Sequence, residues 1–245
     1  PWIVYGRTDG LESALVQCWV VLFLFEARRV VNLQAPPGMK DLALGCLLAL
    51  SVMVRLDLAL VCLAVGLVSI WTFLRAPNDQ RPPLMTFSSK AMLWALPVLI
   101  TLSMYLYLNS IIFDSMTPIS GKLKNSFPSI GFHWEWLLEY PLPFLLMPLI
   151  AGSLRLLPDG FGAAERWAMN VLACSCFLLL ANTLLFTRWG VYQWHFTMIY
   201  FVGAICLTLL IERLLPSVWI KVGLFCTLVV LASAAQILFV YKRVD

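Results

Sequence analysis

The sequence predicts an all-α fold, a polytopic bundle of about eight transmembrane helices. Three observations carry the expectation. Hydrophobic residues make up 61% of the chain and charged residues 12%, against about 25% charged in an average soluble domain. Mean hydropathy is +0.87. The apolar residues fall in continuous runs, whereas a lipid-facing barrel would alternate over short segments. Each span needs about 20 mostly apolar residues, so the 245 residues form one transmembrane domain, 1–245, with short loops.

The runs follow in order. Leu11 to Phe25 is closed by Glu26-Ala27-Arg28-Arg29. Leu42 to Val54 is closed by Arg55-Leu56-Asp57 and is followed at once by Leu58 to Leu74. A polar, Pro-containing loop occupies Arg75 to Lys90, then Ala91 to Leu108 is apolar. The longest polar stretch, Asn109 to Glu135, precedes Trp136 to Leu157, which Pro141, Pro143 and Pro148 interrupt. Those prolines free backbone groups that neighbouring helices or water must satisfy, and the run reads either as a kinked packing helix or as a broken helix lining a cavity. Trp167 to Phe186, Trp194 to Ile211 and Val218 to Tyr241 complete the set. The chain begins Pro1-Trp2 without an initiator Met and ends on Val244-Asp245 directly after an apolar run, which predicts a fragment of a longer protein.

All seven cysteines sit inside apolar runs, where Cys acts as a small hydrophobe. No disulfide framework or metal site is expected from them. Phosphate-binding Gly loops, zinc-protease motifs and serine elbows are missing, so nucleotide-driven chemistry and nucleic-acid binding are not expected.

Loop lysines and arginines set orientation. With loops alternating, one side receives Arg28, Arg29, Lys40, Arg75, Arg81, Lys90, Arg155, Arg166, Arg213 and Lys221. The other receives Arg7, Arg55, Lys122, Lys124, Arg188, Lys242 and Arg243. The more basic side is expected to be cytoplasmic, with both chain ends outside. The outer side then holds His133, His195, the Asn109 to Glu135 stretch and Trp134, Trp136, Trp189, Tyr192 and Trp194.

Four constellations lie there. Arg55-Leu56-Asp57 puts two opposite charges between apolar runs; it reads either as a headgroup-level turn or as a pair lining a pocket, with Arg55 free to meet an anion. Pro118-Ile119-Ser120-Gly121-Lys122-Leu123-Lys124 is a basic, hydroxyl-bearing turn that attracts anionic headgroups or holds a lipid phosphate. Arg188 to His195 combines a cation, ring faces and an imidazole; it reads either as an interfacial aromatic belt or as rings that stack on a sugar. Asp9-Gly10-Leu11-Glu12 opens the first span, where the macrodipole favours a carboxylate; the other reading is a carboxylate facing an outer cavity.

In this order the pieces resemble the polytopic GT-C glycosyltransferases of bacteria, nearest the arabinofuranosyltransferase and mannosyltransferase subgroup. Gly10-Leu11-Glu12-Ser13-Ala14-Leu15 resembles their Gly-Leu/Met-Glu-Thr/Ser-Ala-Leu helix start. Arg55-Leu56-Asp57 resembles their Arg-Pro-Asp turn, with Leu56 in the proline's place. Asn109 to Phe113, Pro118 to Gly121 and Lys124 are similar to their outer loop, with Asp114-Ser115 where a Gly usually follows the Phe. Tyr192-Gln193-Trp194-His195 sits where relatives carry an aromatic cluster.

The resemblance implies a GT-C-like fold in the inner (plasma) membrane with its working face periplasmic or extracellular. It implies transfer of a sugar from a polyprenyl-phosphate donor to a glycan, lipid or protein acceptor, so the partners are the bilayer, the lipid-linked sugar and that acceptor. Lys124, Arg55 and Lys122, with Ser120 beside them, would meet the donor phosphate. Trp194 and His195 would contact sugar or phosphate, and Glu12 and Asp57 would position the acceptor or hold Arg55. The catalytic carboxylate would lie upstream of Pro1. No cofactor is evident, and a divalent metal is compatible with such chemistry. Two other functions stay open: a secondary transporter or lipid flippase, for which the halves show no repeat, and a non-catalytic membrane scaffold.

Overall fold

The computed structural model describes residues 2–30, 34–114, 130–155, 157, 161–187 and 193–214. Of the described residues, 86% are helical and none forms a strand. Seven long helices follow the first seven apolar runs, with one short helix between the fourth and fifth of them. In chain order they are α1 (Trp2–Val30), α2 (Met39–Val54), α3 (Ala59–Arg75), α4 (Leu84–Phe113), the short α5 (Glu135–Glu139), α6 (Pro141–Arg155), α7 (Ala163–Phe186) and α8 (Thr197–Leu214). The eighth run, Val218 to Tyr241, lies outside the described residues.

Four helical stretches are long and apolar enough to cross a membrane: Leu56–Arg75, Leu84–Phe113, Ala163–Phe186 and Thr197–Leu214. They point to a membrane protein. The 16 residues of α2 rise about 24 Å, short of a hydrocarbon core of about 30 Å. Helix α6, at 15 residues, is shorter still.

Two boundaries depart from the sequence expectation. The proline-rich fifth run is not one helix but two, split at Tyr140, whose φ of −128° and ψ of 68° leave the helical region. Pro141 causes this, because its ring pushes the preceding residue out of the α conformation while suiting the first position of a new helix. The fourth run starts earlier than expected, at Leu84 instead of Ala91, which draws Lys90 out of the loop and into α4. That helix stops at Asp114, the one described non-glycine residue with positive φ (50°). A left-handed residue is a common helix terminator.

Lys90 and Asp41 meet at 3.6 Å with side chains 2% and 5% exposed, so α2 and α4 run parallel from the same end. Gly45 of α2 permits their close approach: a β-carbon there would lie 2.4 Å from the Leu93 carbonyl oxygen and 3.1 Å from the Pro97 ring. Small residues at such contacts are how membrane helices approach one another. Gly45→Ala is therefore expected to lower stability by about 1–3 kcal/mol, seen as a lower thermal midpoint in detergent. Gly66→Ala, where a β-carbon meets nothing within 4 Å, is the silent control.

Trp167 of α7 gathers the centre. Its ring lies 6.0 Å from Phe23 of α1 and 5.9 Å from Trp94 of α4, and its indole N–H donates to Ser69 Oγ of α3 at 3.3 Å. Trp19 Nε1 donates to the Leu47 carbonyl at 2.8 Å, tying α1 to α2. The six described cysteines are free.

Candidate functional site

The helices alternate between two ends of the bundle. One end carries the start of α2, the Arg28–Glu165 ion pair (3.1 Å) that joins α1 to α7, and the bond from Gln34 Nε2 to the Gln80 carbonyl. The other end carries Arg55, Asp57, the segment before α5, the end of α7 and the start of α8. The candidate site is at this second end.

Arg55 stands between two elements, as the C-cap of α2 and the N-cap of a 3₁₀ turn, Leu56–Leu58. Its N–H donates to the Ser51 carbonyl (3.0 Å), and its carbonyl accepts from Leu58 N–H (3.0 Å). With the backbone so held, the guanidinium reaches round to Asp57: Nε donates to Oδ1 at 3.0 Å, and a terminal nitrogen donates to Oδ2. This is the fork geometry that makes an Arg–carboxylate pair strong. The side chains are 11% and 27% exposed. Of the two sequence readings, the solvated turn gives way to a mostly buried ion pair. The expectation that Arg55 is free to meet an anion needs correcting, because Asp57 already occupies the fork and an incoming phosphate has to compete for it.

The other expected residues divide. Ser120, Lys122 and Lys124 lie outside the described residues. Glu12 is in α1 and Trp194 in the 3₁₀ turn Gln193–Phe196, and their side chains lie outside the description. His195 is half-buried at the start of α8. Its neighbour Phe196 packs on Tyr140 with ring centroids 5.6 Å apart, which brings the start of α8 to the α5–α6 break. The structure thus unites Arg55 with Asp57 and places His195 at the same end.

A pair not singled out from the sequence lies beside these elements. The segment before α5 is stitched to the end of α7: Gly131 N–H donates to the Leu185 carbonyl (3.0 Å) and His133 N–H to the Leu184 carbonyl (2.9 Å). Trp136 Nε1 donates to the Thr187 carbonyl at 2.8 Å. So fixed, His133 Nδ1 lies 3.0 Å from Glu135 Oε1. The Glu135 carboxyl is held below its ordinary value first by its own backbone N–H and then by His133. A carboxylate lowered in the folded state stabilises above its unfolded pKa and loses that contribution as pH falls through the folded value. The docking of this segment is therefore expected to weaken below about pH 4.5, and Glu135→Gln should flatten the acid limb of a hydrogen-exchange profile at Gly131 and His133.

The Asp41–Lys90 pair belongs to the opposite end. Asp41 Oδ2 accepts from Gly38 N–H (3.0 Å) and Oδ1 from Trp94 Nε1 (3.1 Å). The carboxylate caps α2 and anchors α4 at once. Among the described residues, no group of three or more His, Cys, Asp or Glu could hold a metal ion. Comparison of the chain with protein-family models, with curated proteins and with solved structures finds no match.

Proposed function

We propose that the chain works in a membrane glycosyltransferase that moves a sugar from a polyprenyl-phosphate donor to a cell-envelope acceptor on the non-cytoplasmic side. The observation that carries the reading is the common location of Arg55–Asp57, His133–Glu135 and His195 at one end of a largely apolar bundle. Transfer from a lipid phosphate asks for a cation to stabilise the departing phosphate and a base for the acceptor hydroxyl. Arg55 supplies the first once the phosphate displaces Asp57, and Lys124 and Lys122 add to it. The motifs that resemble the GT-C family point the same way, and the inner-membrane placement and eight-span count belong to this reading.

The test is transfer of labelled sugar from a polyprenyl-phosphoryl donor by the full-length protein in proteoliposomes. Arg55→Ala and Lys124→Ala should each reduce it by tenfold or more, about 1.4 kcal/mol or greater. Undiminished transfer by both variants sinks the phosphate assignment. One observation favours transport as a second reading: Asp41–Lys90 is a buried charge pair between two apolar helices, and such charges often mark substrate or ion paths. Solute flux without a covalent product would decide for it.

A further inference from the structure

The imidazole of His133 is the least explained polar group described. Its Nδ1 is engaged by Glu135, which fixes the ring's orientation and, in the neutral form, places the proton on Nδ1. That leaves Nε2 as a lone-pair acceptor. It is buried and has no hydrogen-bond partner. An unmade hydrogen bond at a buried acceptor costs about 1–3 kcal/mol, so an atom kept in that state calls for a donor that arrives from elsewhere. The covering residue is Gly131: a β-carbon there would lie 3.2 Å from Nε2. Gly131 covers the nitrogen without a side chain, and a β-carbon there would press on it more tightly than ordinary van der Waals contact allows. Either side of His133 along the chain, Phe132 and Trp134 are 64% and 60% exposed, and Glu135 is half open (side chain 48%). Backbone bonds to α7 hold the whole segment in place.

We propose that Gly131–Glu135 is a carbohydrate-binding subsite, in which His133 Nε2 accepts a hydrogen bond from a sugar hydroxyl and Glu135 keeps the ring oriented for it. A hydroxyl satisfies the neutral acceptor without bringing charge to a buried atom. An anion would face the Glu135 carboxylate, and a cation would find one nitrogen ligand and no cluster. Exposed indole and phenyl rings supply faces for the C–H side of a sugar. The choice of a sugar over another hydroxyl compound rests on the glycosyltransferase reading, and the two can fail separately.

The sequence has two histidines, so ¹⁵N-histidine spectra of the full chain in nanodiscs give two imidazoles, assigned by substituting each in turn. The probes are methyl arabinofuranoside, methyl mannopyranoside and methyl galactopyranoside, with glycine betaine as a hydroxyl-free control. At least one glycoside should move the Nε2 resonance of His133 toward a hydrogen-bonded position in a saturable way, and betaine should not. Gly131→Ala should abolish the response while leaving Nδ1 bound to Glu135. Glu135→Gln should weaken binding about tenfold, and Trp134→Ala should weaken it without changing the tautomer. An Nε2 resonance unmoved by every glycoside, or moved equally in Gly131→Ala, overturns the subsite and leaves the nitrogen to an ordered water. Sugar transfer by a protein whose His133 ignores glycosides overturns the subsite alone; a saturable response in a protein that transfers nothing overturns the transferase reading alone.

Discussion

Replacing Lys90 with Met is expected to destabilise the bundle by about 3–5 kcal/mol, the usual consequence of removing one partner from a buried ion pair. The ammonium pairs with the Asp41 carboxylate, and both side chains are almost wholly enclosed. Without it, the carboxylate keeps the Gly38 and Trp94 hydrogen bonds but loses its counter-charge in a low-dielectric contact. The Asp41→Asn/Lys90→Met double variant should recover most of the loss, because apolar or neutral replacement of a whole buried pair is often nearly neutral. The carboxamide that replaces the carboxylate still offers an oxygen to the Trp94 indole N–H. Unfolding midpoints of the two single variants and the double, measured in one detergent, check this. A Lys90→Met midpoint equal to wild type would mean that water reaches Asp41 and that the pair is not buried.

That pair shows where the sequence runs out. Helix positions are legible because a run of apolar residues is local information: all seven described long helices follow runs visible in the chain. The start of α4 is not, because Ser88-Ser89-Lys90 reads as the end of a polar loop. What makes Lys90 tolerable inside a helix is a carboxylate far earlier in the chain, Asp41, brought to it only by the parallel packing of α2 and α4. The break at Tyr140-Pro141 had a local signal in the prolines, though not one that told a kink from a split. At the candidate site the same division holds. Arg55 and Asp57 could be paired by spacing alone, but the two-point grip of the guanidinium on the carboxylate is a feature of the folded turn, where Arg55 has an extended backbone. His133-Trp134-Glu135 is as local a pattern, yet its interest lies in the unmatched Nε2 and the glycine over it, and both are products of docking onto α7.

Trp167→Ala is expected to be comparably severe, about 3–5 kcal/mol as for other buried aromatic truncations. Trp167 is 3% exposed and is the common neighbour of α1, α3 and α4. Lipid gives helices no hydrophobic drive to associate, so side-chain packing carries much of the association, and a void at the crossing of four helices forfeits contacts to all of them. Trp167→Phe keeps a ring against Phe23 and Trp94 and loses the bond to Ser69. That serine can turn its hydroxyl to its own helix backbone, so the variant should lose only about 1–2 kcal/mol. The two large effects should not add. Trp94 packs on Trp167 and also donates to Asp41, so removing Trp167 loosens the indole that caps the ion pair. Once that contact is slack, Lys90→Met has less rigid structure left to disrupt. The Trp167→Ala/Lys90→Met double should therefore fall short of the sum of the singles by about 0.5–3 kcal/mol, the range found for residues sharing a partner. Strict additivity would separate the ion pair from the aromatic centre and leave Trp94 as two independent contacts that happen to share a side chain.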